Sequence, residues 1–251
     1  MKNRSFLIFA LLLSAASPRA KAATAGQFDS YIFTMSWEPA FCEGKPSATE
    51  CQSEDPARFD ATNLALHGLW PDVNGDSRHA YGFCGDDAAA AQSLDRAATW
   101  CQMPEPTLSD ATLANLTKVM PGVASCLDHH EWNKHGSCTG MSDDDYFALA
   151  ASLVQQVSAT NFGRFLSAHA GQTVNAEDAL TAFEQDFGAG SRSLVVMNCA
   201  NVRGSQALLE VQLRLPASLA PGATLSPSLL MTVGGSGSCP SSFLLDPVPS
   251  R

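Results

Sequence analysis

HHEWNKHGSC, residues 129–138, packs three histidines, a glutamate and a lysine into its first seven positions and closes on a cysteine. A segment opening His-Glu suggests a zinc peptidase helix, whose H-E-x-x-H pattern sets two imidazoles one turn apart on one face. Here the residue four after His130 is Lys134, a cation that cannot ligate at neutral pH. His135 comes one position late, rotated by roughly 140° from His130 on an ideal helix. A metal pair is therefore disfavoured. His130, Glu131, Lys134 and His135 still share one arc, because 130/134 and 131/135 are i,i+4 pairs. Two bases, an acid and a cation on one face suit proton transfer around an anionic transition state. The plain alternative is a solvated helix face, the usual fate of such residues. Trp132 and Asn133 weaken it by leaving no clear apolar stripe, and Gly136-Ser137-Cys138 reads as a helix end pinned by a disulfide.

Outward from this segment, the N-terminus carries Lys2 and Arg4, an apolar run from Phe6 to Ala16, and Ala20-Lys21-Ala22 as a small-x-small cleavage site. That is the pattern of a secretory signal peptide over residues 1–22. Its apolar run is too short to span a bilayer and no later segment approaches the required length, so a periplasmic or secreted protein without a membrane anchor is expected. Cleavage removes four basic residues and no acidic one, taking the formal charge from −10 to −14, which is unfavourable for any polyanionic partner. All eight cysteines follow residue 22, an even number that suits four disulfides in an oxidising compartment. Residues 23–251 can build one sizeable core and contain no repeat, low-complexity tract or linker, and are read as one domain.

Within that stretch, YIFTMSWEPAFC (31–42) alternates Phe33, Met35 and Trp37 with polar neighbours, as a half-buried strand stopped by Pro39. NLALHGLWP (63–71) gives a second short strand ending in a Gly68/Pro71 turn. Helices dominate the middle, with Ser109, Ser142 and Asn175 as N-caps and Pro121-Gly122 as a stop. After Gly190 the period changes, and SLVVMNC, ALLEVQLRL and SLLMTV read as antiparallel strands joined by short connections. The class is α+β.

HGLWPD (67–72) taken with HEWNKHGSC (130–138) resembles the two active-site segments of the ribonuclease T2 family, especially its bacterial RNase I-like members. The likeness extends to Trp37-Glu38-Pro39 and Cys42, which match a W-x-P-x-x-C pattern, and to the order of helices and late strands. It implies a central, mainly antiparallel β-sheet flanked by α-helices and stapled by disulfides, with both histidine segments converging on a cleft. It also implies a metal-independent, cofactor-free endoribonuclease that cleaves single-stranded RNA by transfer to the 2′-oxygen, giving 2′,3′-cyclic phosphates and then 3′-phosphates. By position in the motifs, His135 is the base, His67 the acid and His130 a phosphate ligand, with Lys134 and Glu131 stabilising the transition state. One imidazole must be neutral and another charged, which a pKa near neutrality permits.

In the same pattern Trp70 and Asp72 border a base pocket, as stacking face and as acceptor for an exocyclic amine, although Trp70 reads equally as a core aromatic. Tyr81 is a further pocket candidate that no spacing rule ties to His67. Where many members carry aromatic residues before the second segment, this chain has Leu127 and Asp128, leaving base preference open. His79, His129 and His169 are read as surface residues, and Asn115-Leu116-Thr117 as a glycosylation sequon. The family pattern pairs Cys138 with Cys84; Cys199 with Cys239 would tie the late strands, and Cys42–Cys51 and Cys101–Cys126 remain. The partner implied is RNA, with no DNA cleavage and a monomeric enzyme. Two rivals stand beside this reading: a metallohydrolase using the same histidines, and a catalytically silent secreted RNA-binding homologue. Silence leaves unexplained why His67, His130 and His135 occur together.

Overall fold

The computed structural model describes residues 23–74 and 81–248; the proposed signal peptide and His79 lie outside the described residues. In chain order the elements are β1 (Ser30–Ser36), α1 (Glu38–Gly44), α2 (Thr49–Gln52), β2 (Ala65–Asp72), α3 (Ala88–Arg96), α4 (Asp110–Val119) and α5 (Leu127–Lys134). They continue with α6 (Asp143–Ser158), α7 (Asn161–Ala168), β3 (Thr173–Asn175), α8 (Ala176–Phe187), β4 (Val195–Val202), β5 (Ser205–Pro216) and β6 (Ser242–Leu244). The sheet runs β2-β1-β5-β6-β3, with β4 also paired to β5. Its ladders are antiparallel except for a parallel contact of β5 with β6 at Ala207 and Leu244. This is the α+β, mainly antiparallel sheet with flanking helices expected above. The side chains of Ser109, Ser142 and Asn175 cap α4, α6 and α8 by accepting from the backbone N–H of Thr112, Asp145 and Glu177.

The first strands depart from the sequence reading in a way that builds the site. β1 is central, between β2 and β5, so Ser30 to Met35 are all buried and the strand is not half-exposed. Tyr31, Phe33 and Met35 enter the core with Leu69, Val211 and Leu213. Trp37 lies past the strand as the N-cap residue of α1, and Pro39 opens that helix, where its missing N–H costs nothing. β2 does not turn at Gly68 or Pro71; it runs through both. As an edge strand it tolerates Pro71. A Cβ on Gly68 would lie 2.1 Å from Oε2 of Glu131, so the glycine lets α5 close onto the strand. Thr34 faces Gly68 while Met35 faces Leu66, which leaves His67 unopposed in a β-bulge. The extra residue puts Leu66 and Leu69 into the core although they are three apart. It likewise leaves His67 and Trp70 half-buried and in contact.

The last third also differs from expectation. SLLMTV (228–233) is not a strand: it begins in a 3-10 turn at Pro227–Leu229 and makes one bridge, Met231 to Arg214. β4 already occupies that edge of β5 as far as Leu213, so little edge remains. β6, three residues long, and α7 were not foreseen; three residues are too few to display alternation. Four disulfides join Cys42 to Cys51, Cys84 to Cys138, Cys101 to Cys126 and Cys199 to Cys239.

Candidate active site

α5 is framed by covalent bonds at both ends. Cys126, at left-handed φ of 62°, starts the helix and is tied to Cys101; Cys138, four residues after the helix, is tied to Cys84. The helix stops at Lys134, and His135 is its C-cap residue, with φ −111° and ψ −54°. Its N–H still bonds the Glu131 carbonyl, yet its ring comes to 6.0 Å from that of His130, centroid to centroid. The roughly 140° rotation about the helix axis thus does not keep these imidazoles apart. Ligand atoms of His130, Glu131 and His135 gather within 4.8 Å, which removes the spacing argument against a metal pair.

Glu131 stands at the centre, wholly buried. Its Oε2 accepts a 2.8 Å hydrogen bond from Nε1 of Trp70, and its Oε1 lies 3.9 Å from Nε2 of His130 and 4.0 Å from Nε2 of His67. Burial pushes its carboxyl up to about 7, against the opposing pull of His67 and the Trp70 bond. His135 is buried and stacks on Trp70 at 5.3 Å. Burial, followed by the charges of Lys134, His130 and His67, holds its imidazole well below the ordinary range. His130 packs on Trp100 at 4.4 Å, and its Nδ1 lies 2.9 Å from Oδ1 of Asp95. Burial and then Lys134 lower it to about 4, with Asp95 pulling the other way. Lys134 Nζ is 3.6 Å from the second Asp95 oxygen. His67 keeps 34% of its side chain exposed, and its Nδ1 is 3.5 Å from Oε2 of Glu210. Burial lowers its imidazole, but Glu210 and Glu131 outweigh that and leave it raised.

The structure thus gathers His67, Trp70, His130, Glu131, Lys134 and His135 at one place. Asp72 and Tyr81 are committed elsewhere. Asp72 is buried and ion-paired to Arg214 at 2.7 Å. The Tyr81 hydroxyl donates to the Thr24 carbonyl and accepts from the Gln27 N–H, fastening the start of the described chain. One face of Trp70 is covered by His135 and its N–H is spent on Glu131. His129 and His169 are half-buried, against the surface reading, with Nδ1 near the Met103 and Phe165 carbonyls respectively; neither joins the cluster. A cavity of about 110 Å³ opens beside His67, with Phe41, Trp100 and Leu127 as apolar wall and Glu38 and Glu50 as acidic wall. Asp95, Trp100 and Glu210 were not singled out from sequence. Asp95 sits in an alanine-rich tract with no motif, and Glu210 shows only as a charge interrupting an apolar strand pattern.

A sequence model described as the Ribonuclease T2 family matches residues 28–224. Ribonuclease I of Escherichia coli (strain K12) is 32% identical to this chain, over 98% of it and 97% of the relative. Extracellular ribonuclease LE of Solanum lycopersicum is 27% identical over 62% of this chain and 63% of its own. Among solved structures, ribonuclease MC1 from bitter gourd seeds has a TM-score of 0.55 at 19% identity, covering 86% of this chain and all of that one. The self-incompatibility-associated SF11-RNase of Nicotiana alata has a TM-score of 0.57 at 19% identity, covering 88% and 100%. These two likenesses concern the fold, whereas the family match spans both histidine segments and the E. coli relative is similar over nearly its whole length. On those matches the chain belongs to the ribonuclease T2 family.

Proposed function

We propose that the protein is an exported endoribonuclease that cleaves single-stranded RNA by transphosphorylation, with no metal or cofactor. The observation that carries this reading is the contrast between two imidazoles of one cluster: His67, against the carboxylates of Glu210 and Glu131, favours its charged form, and His135, buried on Trp70, its neutral form. Environments that push pKa values apart assign acid and base. His135 takes the proton of the 2′-OH, the 2′-oxygen attacks phosphorus, and the P–O5′ bond breaks as O5′ takes the proton from Nε2 of His67. The products are a 2′,3′-cyclic phosphate and a 5′-OH; water in place of the 2′-OH then gives a 3′-phosphate. Lys134 holds the non-bridging oxygens, joined by His130 when the phosphate's charge brings it a second proton, and Glu131, neutral below about 7, can donate to one of them. Trp70 acts here by holding His135 and Glu131, and a base enters the cavity beside His67 against Trp100. DNA offers no 2′-OH and is not cleaved.

Export rests on the signal-like residues 1–22 and on four disulfides, which belong to oxidising compartments. Among the described residues no helix is long and apolar enough to cross a membrane. Residues 23–251 act as one catalytic domain around one continuous core, and as a monomer, since a charge of −14 disfavours self-association. The deciding experiment incubates RNA and its 2′-deoxy analogue with the protein in excess EDTA and analyses product ends. Cyclic phosphates from RNA alone are expected. The metallohydrolase reading draws on the gathered His130, Glu131 and His135; activity lost to chelation and restored by zinc alone would replace the present reading with it. RNA binding without any cleavage would make the protein a silent homologue.

A further inference from the structure

Glu210 lies on β5 opposite Ser36 of β1. Two bulges lie beside it, one at His67 in β2 and one at Leu209 in β5 itself, which is left unopposed where β4 steps from Asn198 to Cys199, and such irregularities re-aim side chains. Its Oε1 accepts from Gln212 Nε2 at 2.9 Å and Asn198 Nδ2 at 3.4 Å, so the carboxylate is fixed from its own strand and from β4. Oε2 is left for Nδ1 of His67, 3.5 Å away, while Nε2 of the same ring points to Glu131 and the cleft. The titratable groups facing His67 are Glu210 from β5, Glu131 and His130 from α5, His135 at its C-cap, and Glu38 from α1. Among the described residues, Glu210 is the acid found at Nδ1.

We propose that Glu210 is the positioning residue of the general acid: it holds His67 with a proton on Nδ1 and turns the Nε2 proton toward the leaving 5′-oxygen. The inference rests on the reading of His67 as the acid. As the P–O5′ bond breaks, O5′ takes the Nε2 proton, the Nδ1 proton stays facing Glu210, and the ring is left neutral. Glu210 touches neither substrate nor reacting atoms.

A leaving group that departs without protonation makes an acid dispensable, and that gives the test. Glu210→Gln and His67→Ala are each assayed on a dinucleotide, whose leaving group is an alkoxide, and on a nucleoside 3′-(4-nitrophenyl phosphate). Glu210→Gln is expected to lower kcat on the dinucleotide by about tenfold or more, with KM little changed, and to lose most of that deficit on the nitrophenyl ester. The basic limb of its kcat/KM profile should also move to lower pH, because the charge that raises His67 is gone. The ratio of the two substrates is taken on one preparation, so any misfolded fraction cancels. If His67→Ala loses equally on both substrates, the acid assignment itself fails. If His67→Ala shows the leaving-group effect while Glu210→Gln loses equally on both, or loses nothing, the role given to Glu210 is overturned.

Discussion

Glu131 sits between two imidazoles with its carboxyl pushed up to about 7, and this sets the pH behaviour expected of the enzyme. His135 must be neutral, and being held well below its ordinary value it places the acidic limb of kcat/KM well below 6.5. His67 must be charged and is raised, so on the basic side activity is lost both as Glu131 ionises near 7 and as His67 gives up its proton. Activity should therefore be highest below pH 7 and fall in a step as pH passes it. Glu131→Gln should remove the share of that fall due to Glu131 and leave the share due to His67; a fall unchanged in the variant would assign it to another group. His67→Ala and His135→Ala should each lower kcat by roughly 10²–10⁴-fold, the range for a positioned proton-transfer group. His129→Ala should stay within a few-fold, since its Nδ1 faces the Met103 carbonyl away from the cluster. Equal damage from His129→Ala would mean that the roles in the second segment are shifted. Glu38 gives a prediction about stability. Burial, then Asp60 and Glu50, push its carboxyl up to about 8, so between about 4.5 and 8 the folded state binds more protons than the unfolded one. Its contribution to stability thus falls as pH rises through that window. Glu38→Gln should raise Tm more at pH 8 than at pH 5, and an equal change at both would disprove the assignment.

β2 and α5 meet at Gly68, where contact between strand and helix depends on the absence of a side chain. Gly68→Ala would drive a Cβ into Glu131 Oε2 and Trp70 Nε1, so it should cost about 1–3 kcal/mol of stability and a larger share of activity. Thermal unfolding and kcat measured together check this; a stable and fully active Gly68→Ala would show that the helix can move away freely. The same contact explains what was legible in the sequence. The histidine segments announced themselves by residue type, and capping serines and asparagine marked three helices, because those signals are local. The path of β2 was not legible, since Gly68 and Pro71 signal a turn unless it is known that one admits a helix and the other lies on a sheet edge. His67 and Trp70 share a side through a bulge, which no period-2 reading delivers. Asp95 and Glu210 reach the histidines from α3 and β5, across distances in sequence where spacing carries no information.

The molecule as a whole is acidic while its substrate is a polyanion, and most of its placed arginines are already neutralised. Arg58 pairs with Asp60, Arg192 with Glu177 and Glu184, Arg203 with Glu43, and Arg214 with Asp72. Affinity for RNA that comes from displaced counterions is correspondingly small. The salt dependence of kcat/KM should be shallow, or inverted at low ionic strength where added salt screens repulsion, and short oligonucleotides should compete well with long RNA. A steep fall between low and moderate salt, with strong preference for long chains, would reveal a basic groove. The disulfides on either side of α5 bear on a different problem, which is when in the life of the chain the site is completed. Before Cys126 meets Cys101 and Cys138 meets Cys84, neither end of the helix carrying His130, Glu131 and Lys134 is clamped. A chain in which these bridges are still reduced is expected to cleave RNA less well than the oxidised protein. Reduced and reoxidised protein assayed side by side measures that difference directly.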